Sequence, residues 1–173
     1  RSNVRIVNIV TTYGSDAGDT PITTLAFGLI YENDDYVPTV GTDIDGVWTD
    51  ARMYYSADGD IMKSFSTYDG MAAHLLHKYD FLIAMITSEY EHLNILQTRV
   101  KKLHIQEVYT NEHNKINRLK YLEKKYNLNP ENIAYIGDDL NDLESLKYAG
   151  LSAVPTGAPI LQFYTPDYIT TRK

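Results

Sequence analysis

From residue 43 onward the chain alternates between short continuous apolar runs and stretches whose apolar residues recur at helical spacing, and few architectures accept that rhythm. MAAHLLHKY has apolar residues at 71, 72, 75, 76 and 79, a helical period. FLIAMIT is a short unbroken apolar run, as expected of a strand covered on both faces. Residues 90–103 read as a second helix and EVYT as a short strand. NKINRLKYLEKKYN reads as a third helix that stops before Asn129-Pro130, because the residue preceding a proline is pushed out of the helical region. NIAYIGDD then reads as strand into loop, NDLESLKYAG as a helix stopped by Gly150, and LSAVP as another strand. This βαβαβ order predicts an α/β fold, a Rossmann-like parallel sheet with helices on both faces and a ligand site at the carboxyl ends of its strands.

Two segments leave the rhythm. Between Asp50 and Ser66, ARMYY and IMKSFS read as strands joined by a turn containing Asp58-Gly59, a β-hairpin projecting after the first strand. Residues 1–38 form a separate compositional zone in which VRIVNIVTTY and ITTLAFGLIY are two candidate strands. Pro38 and Gly41 weaken a central place for the strand that follows.

The 173 residues suffice for one domain with a full core. Without cysteine there are no disulfides and no thiolate metal sites, which makes the cytoplasm the expected compartment. The longest apolar runs, 22–31 and 81–87, fall short of the roughly 20 residues of a membrane span. RSNVRIVNIV lacks the apolar block of a signal peptide, and the absent initiator Met suits a piece of a longer chain. A net charge of -7 disfavours non-specific nucleic-acid binding, so any attraction for an anion must be local.

The chemistry concentrates in two acidic loops. TDIDGVWTD places Asp43, Asp45 and Asp50 just after one apolar strand, and YIGDDLND places Asp138, Asp139 and Asp142 after another. Two carboxylates about 4 Å apart repel by roughly 4 kcal/mol at an effective dielectric near 20, so a crevice collecting several recruits a cation or a proton. An all-oxygen site with room for water favours Mg²⁺. Either loop alone reads equally well as turn and helix-cap chemistry; their order, each after a strand, is the specific signal. Thr87 ends FLIAMIT at the same sheet edge, and Lys115 opens the third helix, where it can place an ammonium over the site. His74 and His77 lie in an apolar-periodic helix away from both loops and read as structural or surface residues.

The ordered set DxDGxxTD, Thr, Lys, GDDxxD resembles the haloacid dehalogenase superfamily of phosphohydrolases over roughly residues 39–173. TDIDGVWTD, the following hairpin, IAYIGDDLNDLESLK and GLSAVPTGAP are similar to its small capless branch, which dephosphorylates 2-keto-3-deoxy sugar acids such as octulosonate 8-phosphate and nonulosonate 9-phosphate. ITSE tilts the resemblance toward the nine-carbon acids, since the eight-carbon enzymes usually carry Gly-Arg after the Thr. The resemblance implies Asp43 as nucleophile and Asp45 as acid and base. It implies Mg²⁺ on Asp43, the Asp45 carbonyl and Asp138, with Thr87 and Lys115 on the phosphoryl oxygens and Asp139 and Asp142 in support. Gly46, Arg52, Tyr55, Ser88, Glu89, Arg99 and Lys102 are the implied substrate contacts, and a homotetramer whose hairpins roof neighbouring sites is the implied assembly. Residues 1–38 are then an N-terminal extension, 39–173 the phosphatase domain, and the chain stops at ITTRK before the Gly-rich tail of relatives. Two alternatives stay open: a non-catalytic oligomerisation domain of the kind found in CMP-sialate synthetases, and a phosphorylation-switched receiver-like domain.

Overall fold

The structure, a computed structural model, describes residues 5–10, 25–30, 39–57 and 61–171. Its centre is a parallel sheet built from β3 (Thr39–Thr42), β6 (Leu82–Ile86), β7 (Glu107–Tyr109), β8 (Ile133–Ile136), β9 (Leu151–Val154) and β10 (Tyr168–Ile169). The spatial order is β10-β9-β8-β3-β6-β7, and every pairing is parallel. The order runs outward in both directions from β3, so the carboxyl end of β3 lies at the switch point where α/β sheets open a crevice.

Strand β6 shows how the two faces are filled. Ala84 and Ile86 join Leu119 and Leu122 of α3 (Lys115–Tyr126) and Leu146 of α4 (Leu143–Tyr148) in one core cluster. Ile83 and Met85 join Ala73 of α1 (Thr67–Lys78) and Leu96 of α2 (Leu93–Leu103) in another. The period of two sends alternate side chains to opposite helix layers, so an unbroken apolar run here marks burial on both sides.

β3 is central, contrary to what Gly41 suggested. A Cβ on Gly41 would stand 2.9 Å from Cδ2 of Leu119 and 3.0 Å from Cδ2 of Tyr135. The glycine thus serves close packing of α3 and Tyr135 onto the middle of the sheet. Pro38 lies outside the described residues.

Helix α2 begins at Leu93, later than its sequence suggests. Glu89 turns its Oε1 back to accept from the N–H groups of Tyr90 and Glu91, and His92 adopts a left-handed φ of 49°. The last helix is shortened in the same way: Asp139 caps a 3-10 turn at Leu140–Asp142, and α4 follows it. β10 was not anticipated, since a two-residue strand carries no period.

The hairpin after β3 is present as antiparallel β4 (Tyr54–Tyr55) and β5 (Ile61–Met62), rooted by a bridge between Thr49 and Phe65. Its turn at Asp58-Gly59 lies outside the described residues. Near the N-terminus, β1 (Arg5–Val10) and β2 (Leu25–Ile30) pair antiparallel as a separate two-stranded sheet. Among the described residues, no helix is long and apolar enough to cross a membrane.

Candidate active site

As β3 ends, the chain winds through a single turn in which the N–H groups of Val47, Trp48 and Thr49 all donate to the Ile44 carbonyl. Trp48 fixes the turn by donating its indole N–H to Oγ1 of Thr42 at 3.0 Å. The turn needs Gly46, whose φ is 88°. Asp43 is buried at its start, with Oδ1 accepting from the Ile44 N–H at 2.7 Å and Oδ2 paired with Nζ of Lys115 at 2.8 Å. Asp45, two residues on, is partly exposed; its Oδ1 accepts from the Thr49 hydroxyl at 3.1 Å. Asp50 stays outside the crevice, exposed and accepting from the Arg52 N–H.

The loop after β8 delivers the second set. Asp142 is fully buried, and each of its bonds orders a neighbour. Its Oδ1 accepts from Lys115 Nζ at 2.8 Å and from the Tyr135 hydroxyl at 2.6 Å; its Oδ2 accepts from the N–H groups of Asp138 and Asp139. Asp142 therefore shapes the loop that presents Asp138 and aims the lysine at Asp43. Asp139 itself is exposed and caps the 3-10 turn. Carboxylate oxygens of Asp43, Asp138 and Asp142 lie within 4.8 Å of one another.

Lys115 is the counter-charge. Its ammonium is held between Asp43 and Asp142, and those carboxylates raise its pKa above the usual lysine value even though burial alone would lower it. One lysine does not balance the cluster. Burial first, and the charge of Asp142 second, push the Asp43 carboxyl from 3.8 up to about 8, with Lys115 pulling the other way. Burial, then Asp142 and Asp139, push Asp138 up to about 6. A group of oxygen ligands that resists ionisation for want of positive charge fits a hard divalent cation. Gly46 adds a second sign of fit, since a Cβ there would stand 1.9 Å from Oδ2 of Asp138 and would fill the space where that carboxylate meets the β3 loop. Asp43 and Asp138, with the backbone of the β3 loop beside them, would hold it.

At the end of β6, Thr87 is buried with its Oγ1 accepting from the Glu89 N–H at 3.1 Å. A pocket beside it is lined by Ile44, Asp45, Lys63, Phe65, Glu89 and Leu96, among others. Lys63 was absent from the sequence reading. Its Nζ lies 2.7 Å from Oδ2 of Asp45 and 3.4 Å from Oε2 of Glu89. No spacing signal announces it, because the lysine and its two partners come from three separate strand ends.

The expected substrate contacts divide. Gly46 and Glu89 are at the crevice, and Ser88 sits half-buried between Thr87 and Glu89. Arg52 and Tyr55 are exposed on the hairpin and are not among the residues lining the pocket beside Thr87. Arg99 is engaged elsewhere: Nη2 donates to the Ser66 carbonyl at 2.6 Å, and the guanidinium lies over the Phe65 ring. Lys102 is exposed on the last turn of α2. That helix starts at the site edge and runs away from it, and nine residues at 1.5 Å each carry Lys102 about 14 Å from Leu93. Among the described residues, neither Arg99 nor Lys102 makes a hydrogen bond or ion pair to the acidic loops of its own chain, although the Phe65 ring under Arg99 lines the pocket.

Residues 50–161 match the haloacid dehalogenase-like hydrolase family. The chain is 33% identical over 128 residues to 3-deoxy-D-manno-octulosonate 8-phosphate phosphatase from Escherichia coli, an alignment covering 74% of this chain and 67% of the relative. The crystal structure of the enzyme so named from Moraxella catarrhalis, in complex with magnesium ion, phosphate ion and KDO, superposes with a TM-score of 0.73 at 28% identity, covering 79% of this chain and 78% of that one. A cobalt-bound deoxy-D-mannose-octulosonate 8-phosphate phosphatase from Haemophilus influenzae gives 0.72 at 30% identity, covering 80% of each chain.

Proposed function

Because the chain belongs to the haloacid dehalogenase-like hydrolases and is a phosphatase, we propose that it hydrolyses the terminal phosphate ester of a 2-keto-3-deoxy sugar acid, with Mg²⁺ and through an aspartyl-phosphate on Asp43. The observation that carries this reading is the Lys115 ammonium seated 2.8 Å from both Asp43 and Asp142 at the mouth of the switch point.

The Asp43 carboxylate attacks phosphorus opposite the sugar oxygen, forming the P–O bond to Asp43 as the P–O bond to the sugar breaks. The proton that the departing oxygen needs comes from Asp45, two residues along the same turn. Asp45, now a carboxylate, takes a proton from water attacking the aspartyl-phosphate, which releases inorganic phosphate and restores Asp43. The Thr87 hydroxyl and the Lys115 ammonium hold the phosphoryl oxygens. A bound divalent ion supplies positive charge that lets an anionic nucleophile approach an anionic phosphate. Asp142 and Tyr135 keep Lys115 in place, and Asp139 holds the loop that carries Asp138.

The relatives named above support the eight-carbon acid as substrate, whereas Thr87-Ser88-Glu89 supports the nine-carbon acid, because Glu89 reaches the pocket beside Asp45. Residues 39–173 form the phosphatase domain in this reading and 1–38 an extension. A homotetramer fits the hairpin, whose Met53, Tyr54, Tyr55 and Met62 are between 40% and 68% exposed. Filled positions at Asp43, Asp45, Thr87, Lys115 and Asp138 weigh against a non-catalytic oligomerisation module.

The test is phosphate release from octulosonate 8-phosphate and from deaminated and N-acetylated nonulosonate 9-phosphates, with Mg²⁺ and with EDTA. The reading expects metal-dependent turnover of one of them that Asp43→Asn abolishes. Turnover indifferent to EDTA or to Asp43→Asn sinks it.

A further inference from the structure

Both oxygens of Asp45 are held, and by different parts of the chain. Oδ1 accepts from Thr49 within the same turn, and Thr49 Oγ1 in turn accepts from the N–H groups of Gly46 and Ala51. Oδ2 is held by Lys63, which immediately follows β5 at the root of the hairpin. The Lys63 side chain is only 8% exposed, although lysine ammoniums ordinarily stay in water. It is drawn inside by two carboxylates, Asp45 at 2.7 Å and Glu89 at 3.4 Å, with Ile44, Phe65 and Leu96 lining the same pocket.

We propose that Lys63 is a positioning residue for proton transfer: it clamps the Asp45 carboxyl group between the hairpin root and the β6 loop, so that acid-base competence depends on the hairpin being seated. This rests on the hydrolase reading above. A carboxyl group on a turn can sweep through rotamers, and about 1 Å of misplacement is enough to cost on the order of 100-fold in rate. Thr49 holds one oxygen but leaves the group free to pivot about it. The second contact fixes the plane. Glu89 is a second carboxylate partner of Lys63, which keeps the ammonium from drifting to solvent and ties the pocket wall to the same lysine.

The role separates from simple stability through the leaving group. A sugar alkoxide needs a proton as it departs; p-nitrophenolate does not. In Lys63→Met, kcat for the sugar-acid phosphate should fall about 100-fold, the scale of a lost general acid-base contribution, with KM changed by less than about 3-fold. The rapid first release of p-nitrophenol from p-nitrophenyl phosphate should persist while the following turnover slows and phosphoenzyme accumulates. In an Asp45→Asn background the same change should cost no more than about 2-fold, because a residue acting through Asp45 has nothing left to position. If Lys63→Met does not fold, Lys63→Arg carries the test, keeping the charge but shifting the donors, and the same leaving-group split is expected. Equal losses in the rate of phosphoenzyme formation from the two esters, or losses that multiply with Asp45→Asn, overturn the proposal. Wild-type protein that forms no phosphoenzyme at all overturns the aspartyl-phosphate reading beneath it, a result distinct from either.

Discussion

Gly46 presents its bare Cα to the carboxylate of Asp138, so closely that a methyl group at residue 46 would stand 1.9 Å from Oδ2. The contact joins the β3 loop to the β8 loop, and the φ of 88° at Gly46 would strain any other residue.

Gly46→Ala should therefore separate the two acidic loops. The backbone strain alone costs about 1–2 kcal/mol, and Asp138 must also move away from Asp43. We expect a lower melting temperature and a Mg²⁺ requirement raised at least about tenfold, if displacing Asp138 costs the ion about 1.4 kcal/mol of affinity. Titrating phosphate release against Mg²⁺ measures it. An unchanged midpoint would show that Asp138 does not serve the ion.

Lys115→Met removes the ammonium and leaves Asp43 and Asp142 facing each other in a buried site. Breaking a buried ion pair from one side costs about 3–5 kcal/mol, and activity should be lost with it. The deficit should shrink on acidification, because the stranded carboxylates can then take protons. Urea unfolding at neutral and mildly acidic pH tests this; a deficit that does not shrink would contradict the placement of the lysine.

Metal-free protein should lose stability as pH rises. Asp43 and Asp138 have folded-state pKa values of about 8 and about 6 against an ordinary 3.8, so the folded form holds protons that the unfolded form has released. Their contribution is fully present below pH 3.8 and is lost as pH climbs through about 6 and then about 8. Mg²⁺ competes with those protons, so the rise in melting temperature that it produces should grow across the same window. Thermal melts in EDTA and in Mg²⁺ between pH 5 and pH 9 decide the matter, and a metal effect that shrinks as pH rises would refute it.

Gly41→Ala should destabilise without touching the chemistry. The added carbon meets Leu119 at 2.9 Å and Tyr135 at 3.0 Å in a packed core, and overpacking of this kind costs about 1–3 kcal/mol. Chemical denaturation should show the loss, with KM for the phosphorylated substrate near the wild-type value.

Much of this could be read from the sequence because it is written locally. FLIAMIT marks a doubly covered strand by composition, Asn129-Pro130 ends a helix by sterics, and two acidic loops following apolar strands converge once the strands are parallel. Thr87 and Lys115 could be placed at the same sheet edge for the same reason, each sitting at the end of an element whose direction the sequence gives. The features that the sequence leaves open are those where direction or neighbourhood matters. Lys102 is near Glu89 in sequence but lies on the outgoing end of α2, and Gly41 looks like an edge residue until Leu119 and Tyr135 are packed against it.

The sequence by itself thus determined the element order and the carboxylates that line one sheet edge, since period and turn chemistry act within a few residues. Only the tertiary structure decided that Tyr135 and Asp142 aim Lys115, and that Lys63 reaches Asp45 across 18 positions and Glu89 across 26. Partners that distant are chosen by strand order and helix packing, which no local pattern of residues encodes.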